Sequence, residues 1–231
     1  MVSMTNIGIL CASDTELEPF LDYIEVEKTV EKAMLKFYKG SIGEHPVVAV
    51  YSGVCKVNAA IGAQILIDEF QVTHMINAGT AGGMDESVQL FDTVVSQQMM
   101  YHDVAEDILT EFHPWLKENY FCADKNLLLA ARQYSRQTSF PMLFGRMVTG
   151  EQFIEDDKRA EINAACGPLS VDMETASAAH VCYVNEIPFL SVRTITDTAD
   201  HKGAENFEKN CEAASRQCAK IVTGILGQLP S

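Results

Sequence analysis

Arginine is missing from the first half of this 231-residue sequence, in which the first arginine is Arg132. Acidic residues outnumber basic residues by 32 to 17, and the formal net charge is −15. A surface this acidic repels phosphate backbones and anionic lipid headgroups, so we expect neither a nucleic acid nor a membrane as a partner. The lack of early arginines also disfavours a phosphate site in that half, because guanidinium forks are the groups that match phosphate oxygens.

Cysteine pairs and long apolar runs are missing as well. The seven cysteines are odd in number and include no CxxC pair, which argues against a disulfide framework or a zinc cage. The first residues, MVSMTNIGILCASD, contain no basic leader, and no apolar run approaches the length of a bilayer span. We therefore expect a reduced cytoplasmic compartment, with no secretory signal and no membrane segment.

The sequence also lacks the motifs of several enzyme classes. The six histidines show no HxH or HExxH spacing, no GxSxG elbow occurs, and Cys55 has no activating base nearby in the sequence. The GTAGG stretch at 79–83 would let backbone approach a ligand closely, but it is neither a Walker loop nor a dinucleotide fingerprint. We expect no metal, no cofactor and no covalent nucleophile.

Alternating strand and helix patterns are what the sequence does contain. A chain of this length, with 47% hydrophobic and 21% charged residues, suits a single α/β domain spanning residues 1–231. The patterns predict a mixed or mostly parallel sheet covered by helices. Strands are predicted at 6–12, 35–42, 47–51, 74–78, 92–101, 143–149, 169–172 and 189–196. Helices are predicted after Ser13, in the later part of 52–70, at 123–137, 156–165 and 175–183, and from Ala204 onward, whereas 103–121 has no clear pattern.

Three carboxylates follow predicted strands: Glu16, Glu174 and Asp197. Ligands of open α/β sheets lie beyond the carboxyl ends of strands, so three acids there indicate acid–base work on a hydroxyl-rich substrate. A simpler interpretation exists for two of them: Glu16 could be a first-turn acid, which its position alone favours, and Asp197 could be a helix N-cap. Glu174 is followed closely by Ala, Ser and Val residues, so its charge needs donors, which sugar hydroxyls would supply.

Two further side chains have two interpretations each. Phe153 could stack on a flat base, although an aromatic residue of this kind is more often buried in a core. Arg193 lies inside the apolar stretch FLSVRTIT, where a charge is costly unless paired. We expect Arg193 to hold a site carboxylate or backbone carbonyls.

With these residues assembled, the chain resembles the nucleoside phosphorylase/nucleosidase superfamily, and most closely its methylthioadenosine/S-adenosylhomocysteine nucleosidases. VDMETA and VRTITD in order, with an upstream glutamate, carry the resemblance. It extends along nearly the whole chain through NIGILCASDTE, SGVCKVNAA, INAGTAGG, YHD, TGEQFI, VDMETASAAHVC, PFLSVRTITDTAD and NFEKNCEAASRQ.

The resemblance implies a Rossmann-like, three-layer α/β fold around a mixed, curved sheet, and a homodimer. It implies hydrolysis of the N-glycosidic bond of adenine thionucleosides, in the context of methionine salvage. By motif, Glu16 resembles the residue that activates water, Asp197 the acid that protonates adenine N7, and Glu174 the acid that binds the ribose hydroxyls. The other implied substrate contacts are Met173 at the ribose, Phe153 and the Ile154 backbone at adenine, Arg193 as organiser, Phe207 near the 5′ substituent, and Val54, Thr80 and Gly82.

The sequence departs from the family pattern at several positions. The family's Ala-Met-Glu-Glu-Glu is here Ala-Ser-Asp-Thr-Glu at 12–16, Cys55 stands where glycine is usual, Thr80 replaces a serine, and Asp172 replaces a glutamate. The family's Thr-Ala-Phe-Gly-Tyr loop, which helps to shape the 5′ pocket, is replaced by VAEDILTEFHPWL at 104–116. These changes leave the preference at the 5′ end open.

Four alternatives remain beside a thionucleosidase. The chain could hydrolyse futalosine or 5′-deoxyadenosine, it could be a phosphorylase, or it could be a nucleoside sensor without turnover. The absence of N-terminal arginines disfavours the phosphorylase, because Lys56 alone would make a weak phosphate site. The presence of all three acids disfavours the sensor.

Overall fold

The computed structural model describes residues 5–105, 107–112, 116–154, 156–198 and 204–230. The strands are β1 (Ile7–Cys11), β2 (Glu25–Lys32), β3 (Leu35–Ile42), β4 (His45–Tyr51), β5 (His74–Gly83), β6 (Thr93–Tyr101), β7 (Phe121–Cys122), β8 (Met142–Thr149), β9 (Ser170–Asp172) and β10 (Phe189–Asp197). The helices are α1 (Asp14–Leu21), α2 (Lys56–Phe70), α3 (Ile108–Phe112), α4 (Lys125–Ser135), α5 (Asp156–Cys166), α6 (Thr175–Val184) and α7 (Ala204–Leu226).

The strands form one mixed sheet, as the sequence predicts, and the sheet is curved enough to close on itself. β10 pairs with both β5 and β6, β6 continues to β8 and β9, and β9 returns to β5. From β5 the sheet extends through β1 and β4 to β3 and β2. The fold is therefore α/β with helices around a mixed sheet, which confirms the predicted class.

The curvature of the sheet brings the carboxyl ends of several strands close together. β1 is parallel to both β4 and β5, and β10 is parallel to β5. β8 is parallel to β9, and each of these strands ends in a polar residue. The carboxyl ends of β1, β4, β5 and β10 therefore share one edge, whereas β9 runs antiparallel to β5, and the closure of the sheet brings its last residue, Asp172, close to them.

The first helix begins as the sequence predicts. The Ser13 side chain accepts a hydrogen bond from the Glu16 N–H at 3.3 Å, and the Glu16 side chain accepts one from the Ser13 N–H at 3.2 Å. This reciprocal pair is a capping box, which satisfies backbone donors that the first turn leaves free. The first-turn interpretation of Glu16 is therefore right as far as the helix start is concerned.

Helix α7 carries the apolar stripe that its spacing predicts. Cys211, Ala214, Cys218, Ile221 and Ile225 are all buried. α7 packs against α1, β5 and β10, and it covers one face of the sheet. On the other face α2 packs against α6, which gives the layered arrangement.

The structure differs from the predicted elements in two places. β2, with the sequence EVEKTVEK, was not predicted, because five charged residues at an exposed sheet edge give no apolar alternation. Such charges protect a sheet edge from pairing with other chains. The strand predicted at 74–78 continues through GTAGG to Gly83, since those residues pair with β10 and β9. Within the described parts of the chain, no helix has both the length and the apolar character that crossing a bilayer requires.

Candidate active site

A cavity of about 350 Å³ lies beyond the gathered strand ends. Pockets for small molecules usually start at roughly this size, about 300 Å³, and are mostly apolar with a few polar groups. The cavity is lined by every residue that the sequence singled out for the site: Glu16, Val54, Thr80, Gly82, Phe153, Ile154, Met173, Glu174, Arg193, Asp197 and Phe207. The structure therefore brings together residues from α1, β5, β10, α7 and three connecting segments.

Glu16 is fixed in the cavity wall by donors on both of its carboxylate oxygens. Oε2 accepts from the Ala12 N–H at 2.8 Å, and Oε1 accepts from the Thr80 N–H at 2.7 Å and the Thr80 hydroxyl at 2.9 Å. The close approach needs a glycine beside it, because a Cβ on Gly79 would lie 2.3 Å from Oε1. The glycine-rich stretch thus accommodates a carboxylate of the protein itself.

Arg193 organises the floor of the cavity. Its guanidinium donates to the Thr80 carbonyl at 2.9 Å, to Asn77 Oδ1 at 2.8 Å and to Glu174 Oε2 at 3.2 Å. The side chain is only 1% exposed, and it also lies 3.8 Å from Glu16 and 3.6 Å from Asp172. Burial alone would lower the pKa of Arg193, but the three surrounding carboxylates raise it above its ordinary value. The expected pairing with a carboxylate and a carbonyl is confirmed.

The two acids around Met173 have different partners. Asp172 Oδ1 accepts from the backbone N–H groups of Glu174 at 3.0 Å and Thr175 at 2.9 Å, so Asp172 caps α6. Glu174 makes no capping bond and instead faces the cavity, where its Oε1 accepts from the Cys55 N–H at 2.8 Å. Burial raises the pKa of Glu174 to about 7, although Arg193 opposes that rise.

Asp197 faces the cavity from the end of β10. The β5–β10 register shifts between Ile195 and Asp197, which sets Asp197 opposite Gly82, and such irregularities re-aim side chains. Asp197 is the last residue of its strand, and the next described helix begins at Ala204, so the N-cap interpretation has no support among the described residues. Burial raises the pKa of Asp197, while the Thr196 hydroxyl and the Arg159 guanidinium limit the rise.

Aromatic and aliphatic side chains close the rest of the cavity. Phe153 is partly exposed, so the core interpretation of this residue is wrong, and its ring stands edge-on to Phe207 with centroids 6.3 Å apart. Ile154 is buried beside them. Such surfaces suit the face of a flat, apolar ligand that has the acids at its polar edges.

Lys56 lies beside the cavity mouth and is already paired. Its ammonium is 3.0 Å from both carboxylate oxygens of Asp103 and 3.9 Å from Glu151, and it sits over the Tyr101 ring. In the part of the chain that the structure describes, Arg193 is the cationic side chain lining the cavity, and its hydrogen bonds go to protein groups. The described residues also include no cluster of three or more His, Cys, Asp or Glu side chains placed for a metal ion.

Known proteins resemble this chain in sequence and in fold. A family model described as the phosphorylase superfamily matches residues 6–227. The 5′-methylthioadenosine/S-adenosylhomocysteine nucleosidase of Pseudoalteromonas translucida is 34% identical over 233 residues, which cover 97% of this chain and 97% of that protein. The chain belongs to this nucleosidase family.

Solved structures agree with that membership. The family member from Colwellia psychrerythraea 34H, solved with adenine, is 32% identical, with a TM-score of 0.89 over 98% of this chain and 96% of that chain. The futalosine hydrolase of Helicobacter pylori gives the same TM-score, 0.89, at 24% identity over 98% of this chain and 99% of that one. At that identity the likeness shows a shared fold alone.

Three buried residues that hold the nucleosidase-family cavity together were not assigned such roles from the sequence. Asn77 accepts from Arg193 and from Thr175 at 2.9 Å, and its polar side chain inside an apolar strand was a readable signal. Asp172 was noted but not recognised as the cap of α6. Arg159 lies in the polar helix DDKRAEINAAC, where nothing in the sequence distinguishes it from a solvated arginine.

Proposed function

We propose that this protein hydrolyses the N-glycosidic bond of 5′-methylthioadenosine and S-adenosylhomocysteine, releasing adenine and the 5-thioribose product without phosphate. The observation that carries the proposal is the convergence of Glu16, Glu174 and Asp197 on one apolar cavity. Sequence identity of 34% over nearly the full length to a nucleosidase of that name supports the substrate class.

Asp197 is the proposed acid. Adenine leaves poorly as an anion, so Asp197 gives its proton to N7 while the electron pair of the C1′–N9 bond moves to the base. Burial raises the pKa of Asp197, which favours the protonated form that this step requires. The sugar becomes cationic at C1′ as the bond breaks.

Glu16 is the proposed base for water. Its carboxylate is held by four hydrogen bonds in the cavity wall, which fixes its position relative to the sugar. The water attacks C1′, forms the new C–O bond and passes a proton to Glu16. Glu174 accepts from the ribose hydroxyls and Met173 lies against the ribose.

The remaining cavity residues bind the two ends of the substrate. Phe153 and the Ile154 backbone contact adenine, and Phe207 lies near the 5′ substituent. Val54, Thr80 and Gly82 complete the cavity wall. Arg193 lies between Glu16 and Glu174 and fixes their relative positions. Each of these residues lines the same cavity, which supports assigning them together.

Hydrolysis is favoured over phosphorolysis because the cationic side chains Arg193 and Lys56 are already paired with protein groups. A phosphate beside the sugar would need free guanidinium or ammonium groups. Arg193 is committed to protein acceptors and Lys56 to Asp103 and Glu151. Among the described residues, these two cations at the cavity are thus already paired, which favours water over phosphate as the nucleophile.

A release assay tests the proposal. Purified protein is incubated with methylthioadenosine, S-adenosylhomocysteine, adenosine, 5′-deoxyadenosine, inosine and futalosine, with and without phosphate, and each free base is identified by chromatography. We expect adenine from the two thionucleosides at a rate that phosphate does not change. Faster turnover of futalosine, a phosphate requirement, or thermal stabilisation by a nucleoside with no released base would each contradict it.

We also propose a homodimer. Exposed apolar side chains from α2 and α6 lie together: Val57, which is 69% exposed, with Ile61 and Val184. Val57 and Val184 share a surface recess with Tyr101 and Lys56, close to the cavity mouth. Apolar patches of this kind mark interfaces, and a second copy fits one that is continuous with the site.

The cysteines and the net charge indicate the compartment and the partners of the enzyme. The seven cysteines are all free thiols, which suits a reducing cytoplasm. A net charge of −15 disfavours nucleic-acid and membrane partners. We assign residues 1–231 to one domain that needs no cofactor, and we place the reaction in methionine salvage.

A further inference from the structure

Arg159 is a buried arginine whose role neither the sequence nor the proposed mechanism explains. It lies on α5 and is 6% exposed, although α5 is otherwise a polar helix. Taking a guanidinium out of water is costly unless a charge partner and hydrogen-bond acceptors compensate. Its neighbours therefore indicate what Arg159 does.

Two oxygen atoms and the Met84 sulfur, which is 3.6 Å from Nη1, surround the Arg159 guanidinium. Nη1 donates to the Gly83 carbonyl, and Nη2 lies 3.6 Å from Asp197 Oδ2. Among the described residues, Nε has no hydrogen-bond partner. The carbonyl anchors the guanidinium at the end of β5, and the carboxyl group of Asp197 is the anionic partner for its charge.

The other elements around Asp197 bring no further charge among the described residues. From β10, the Thr196 hydroxyl donates to Oδ1 at 3.1 Å. From β5, Gly82 faces the carboxyl group and has no side chain, while Asn210 of α7 donates to the Thr196 carbonyl instead. Burial raises the pKa of Asp197, and Thr196 and Arg159 oppose that rise.

We propose that Arg159 is a positioning residue, which aims the Asp197 carboxyl group and stabilises the carboxylate left when its proton has moved to the purine. The inference rests on the proposed function and deepens it. The proton passes from Asp197 to N7, the C1′–N9 electron pair passes to the base, and the new negative charge on Asp197 faces the positive charge of Arg159. At 3.6 Å the pair is longer than a hydrogen bond of about 2.7–3.2 Å, so Arg159 acts on the Asp197 carboxyl group mainly through its charge.

The variants Arg159→Gln and Arg159→Lys separate charge from packing, and kcat is measured against pH with methylthioadenosine. Turnover falls at high pH where Asp197 loses its proton. Removing an opposite charge raises a carboxyl pKa. We therefore expect the alkaline limb of the kcat–pH profile to move to higher pH by about one unit in Arg159→Gln. A weaker acid also transfers its proton more slowly, so plateau kcat should fall by roughly threefold or more, with KM changing less. Arg159→Lys should keep the parent limb.

Arg146→Gln is the matched control. Arg146 also anchors α5, since it donates to the carbonyl of Cys166 at the helix end and to Gln98 at 2.8 Å, but it does not line the cavity. We expect Arg146→Gln to lower thermal stability without moving the alkaline limb. An equal shift in both variants would mean that Arg159 acts through helix packing, and the inference would fall.

Two readouts keep this inference separate from the proposed function. A 5-methylthioriboside of 4-nitrophenol needs no protonation to leave, so Arg159→Gln should hydrolyse it at the parent rate; an equal loss on both substrates contradicts the role. The Asp197 carboxyl group is also titrated by carbon NMR, assigned by difference from Asp197→Asn. An unchanged titration in Arg159→Gln overturns the inference even if the parent protein releases no adenine.

Discussion

The two carboxylates around Met173 show how single atoms divide the work of the site. Asp172 Oδ1 accepts hydrogen bonds from backbone N–H groups at the start of α6 and from the Thr149 hydroxyl, which donates at 2.7 Å. Because Asp172 caps the helix, Glu174 is left free to face the cavity with Arg193 and the Cys55 N–H as its partners. The ribose hydroxyls of a bound nucleoside would find an acceptor there that is already oriented.

Asp197→Asn removes the proposed acid while keeping the shape of its side chain. We expect kcat with methylthioadenosine to fall by about 10²–10⁴, the usual contribution of a general acid, while nucleoside binding stays near the parent value. Asp92→Asn is the control, because Asp92 is also buried but accepts from the Gln89 N–H outside the cavity. Near-parent turnover in Asp197→Asn would contradict the assignment.

Glu174 gives ribose binding a dependence on pH. Its pKa is raised to about 7, and hydroxyl donors need the ionised carboxylate, whose fraction falls as the pH drops through that value. The dissociation constant of methylthioadenosine should therefore rise toward about tenfold per pH unit below the pKa. The inactive Asp197→Asn protein allows this to be measured by calorimetry without turnover.

The test for Glu174 uses the substrate as its own control. A 2′-deoxyriboside lacks a hydroxyl donor and should show a weaker pH dependence than the riboside. Replacing Glu174 by Gln in the same background should remove the dependence for both ligands. A riboside that binds equally well across neutral pH would show that Glu174 does not act through its ionised form.

Among the elements, the turn between β4 and α2 carries the clearest backbone strain. Cys55, just before α2, has φ 80° and ψ 163°, a region that residues other than glycine rarely adopt. Its N–H is the donor to Glu174, so the unusual conformation aims a site hydrogen bond. Glycine, which the family pattern described above has at this position, would adopt the same φ without that strain.

Cys55→Gly should relieve that strain. Strain in this region destabilises the folded state by about 1–3 kcal/mol. Glycine removes that strain, but its greater freedom in the unfolded chain offsets about 0.4–1 kcal/mol of the gain. We expect the free energy of unfolding to rise by about 1 kcal/mol in a urea titration, with activity kept. Cys122→Gly in β7 is the control, since Cys122 has no positive φ and should become less stable. A loss of stability in Cys55→Gly would show that its backbone is not strained.

At the scale of the whole molecule, the closed part of the sheet determines the site. β5, β10, β6, β8 and β9 pair in a ring, and where β5, β10 and β9 meet lie Thr80 within β5, Asp197 at the end of β10 and the Asp172–Glu174 turn at the end of β9. Glu16 enters from α1 beside the ring, and Arg193 lies against both Glu16 and Glu174. The three acids therefore depend on sheet closure rather than on any one loop.

The proposed dimer is tested at the same scale. Val57→Asp places a charge in the exposed apolar patch of α2, and burying an unpaired charge at an interface is strongly unfavourable. We expect sedimentation to report a dimer for the parent and half that mass for Val57→Asp. Val26→Asp is the control, because Val26 is exposed on the edge strand β2 away from the patch and should leave the mass unchanged. A monomeric parent would refute the dimer.

Much of this protein could be predicted from its sequence, because local patterns report local physics. The α/β class follows from alternating apolar runs, the start of α1 from its capping box, and the buried stripe of α7 from its spacing. The three acids stood out because each follows an apolar strand. The edge strand β2 was missed, since its charged residues give no apolar signal.

Only the tertiary structure decided which side chain faces which. The closure of the sheet, the register shift before Asp197, the partners of Lys56 and the burial of Arg159 against Asp197 all depend on contacts between distant segments. Sequence periodicity reports which face of an element is apolar, but the electric field at a carboxyl group depends on neighbours that the chain brings close only by folding.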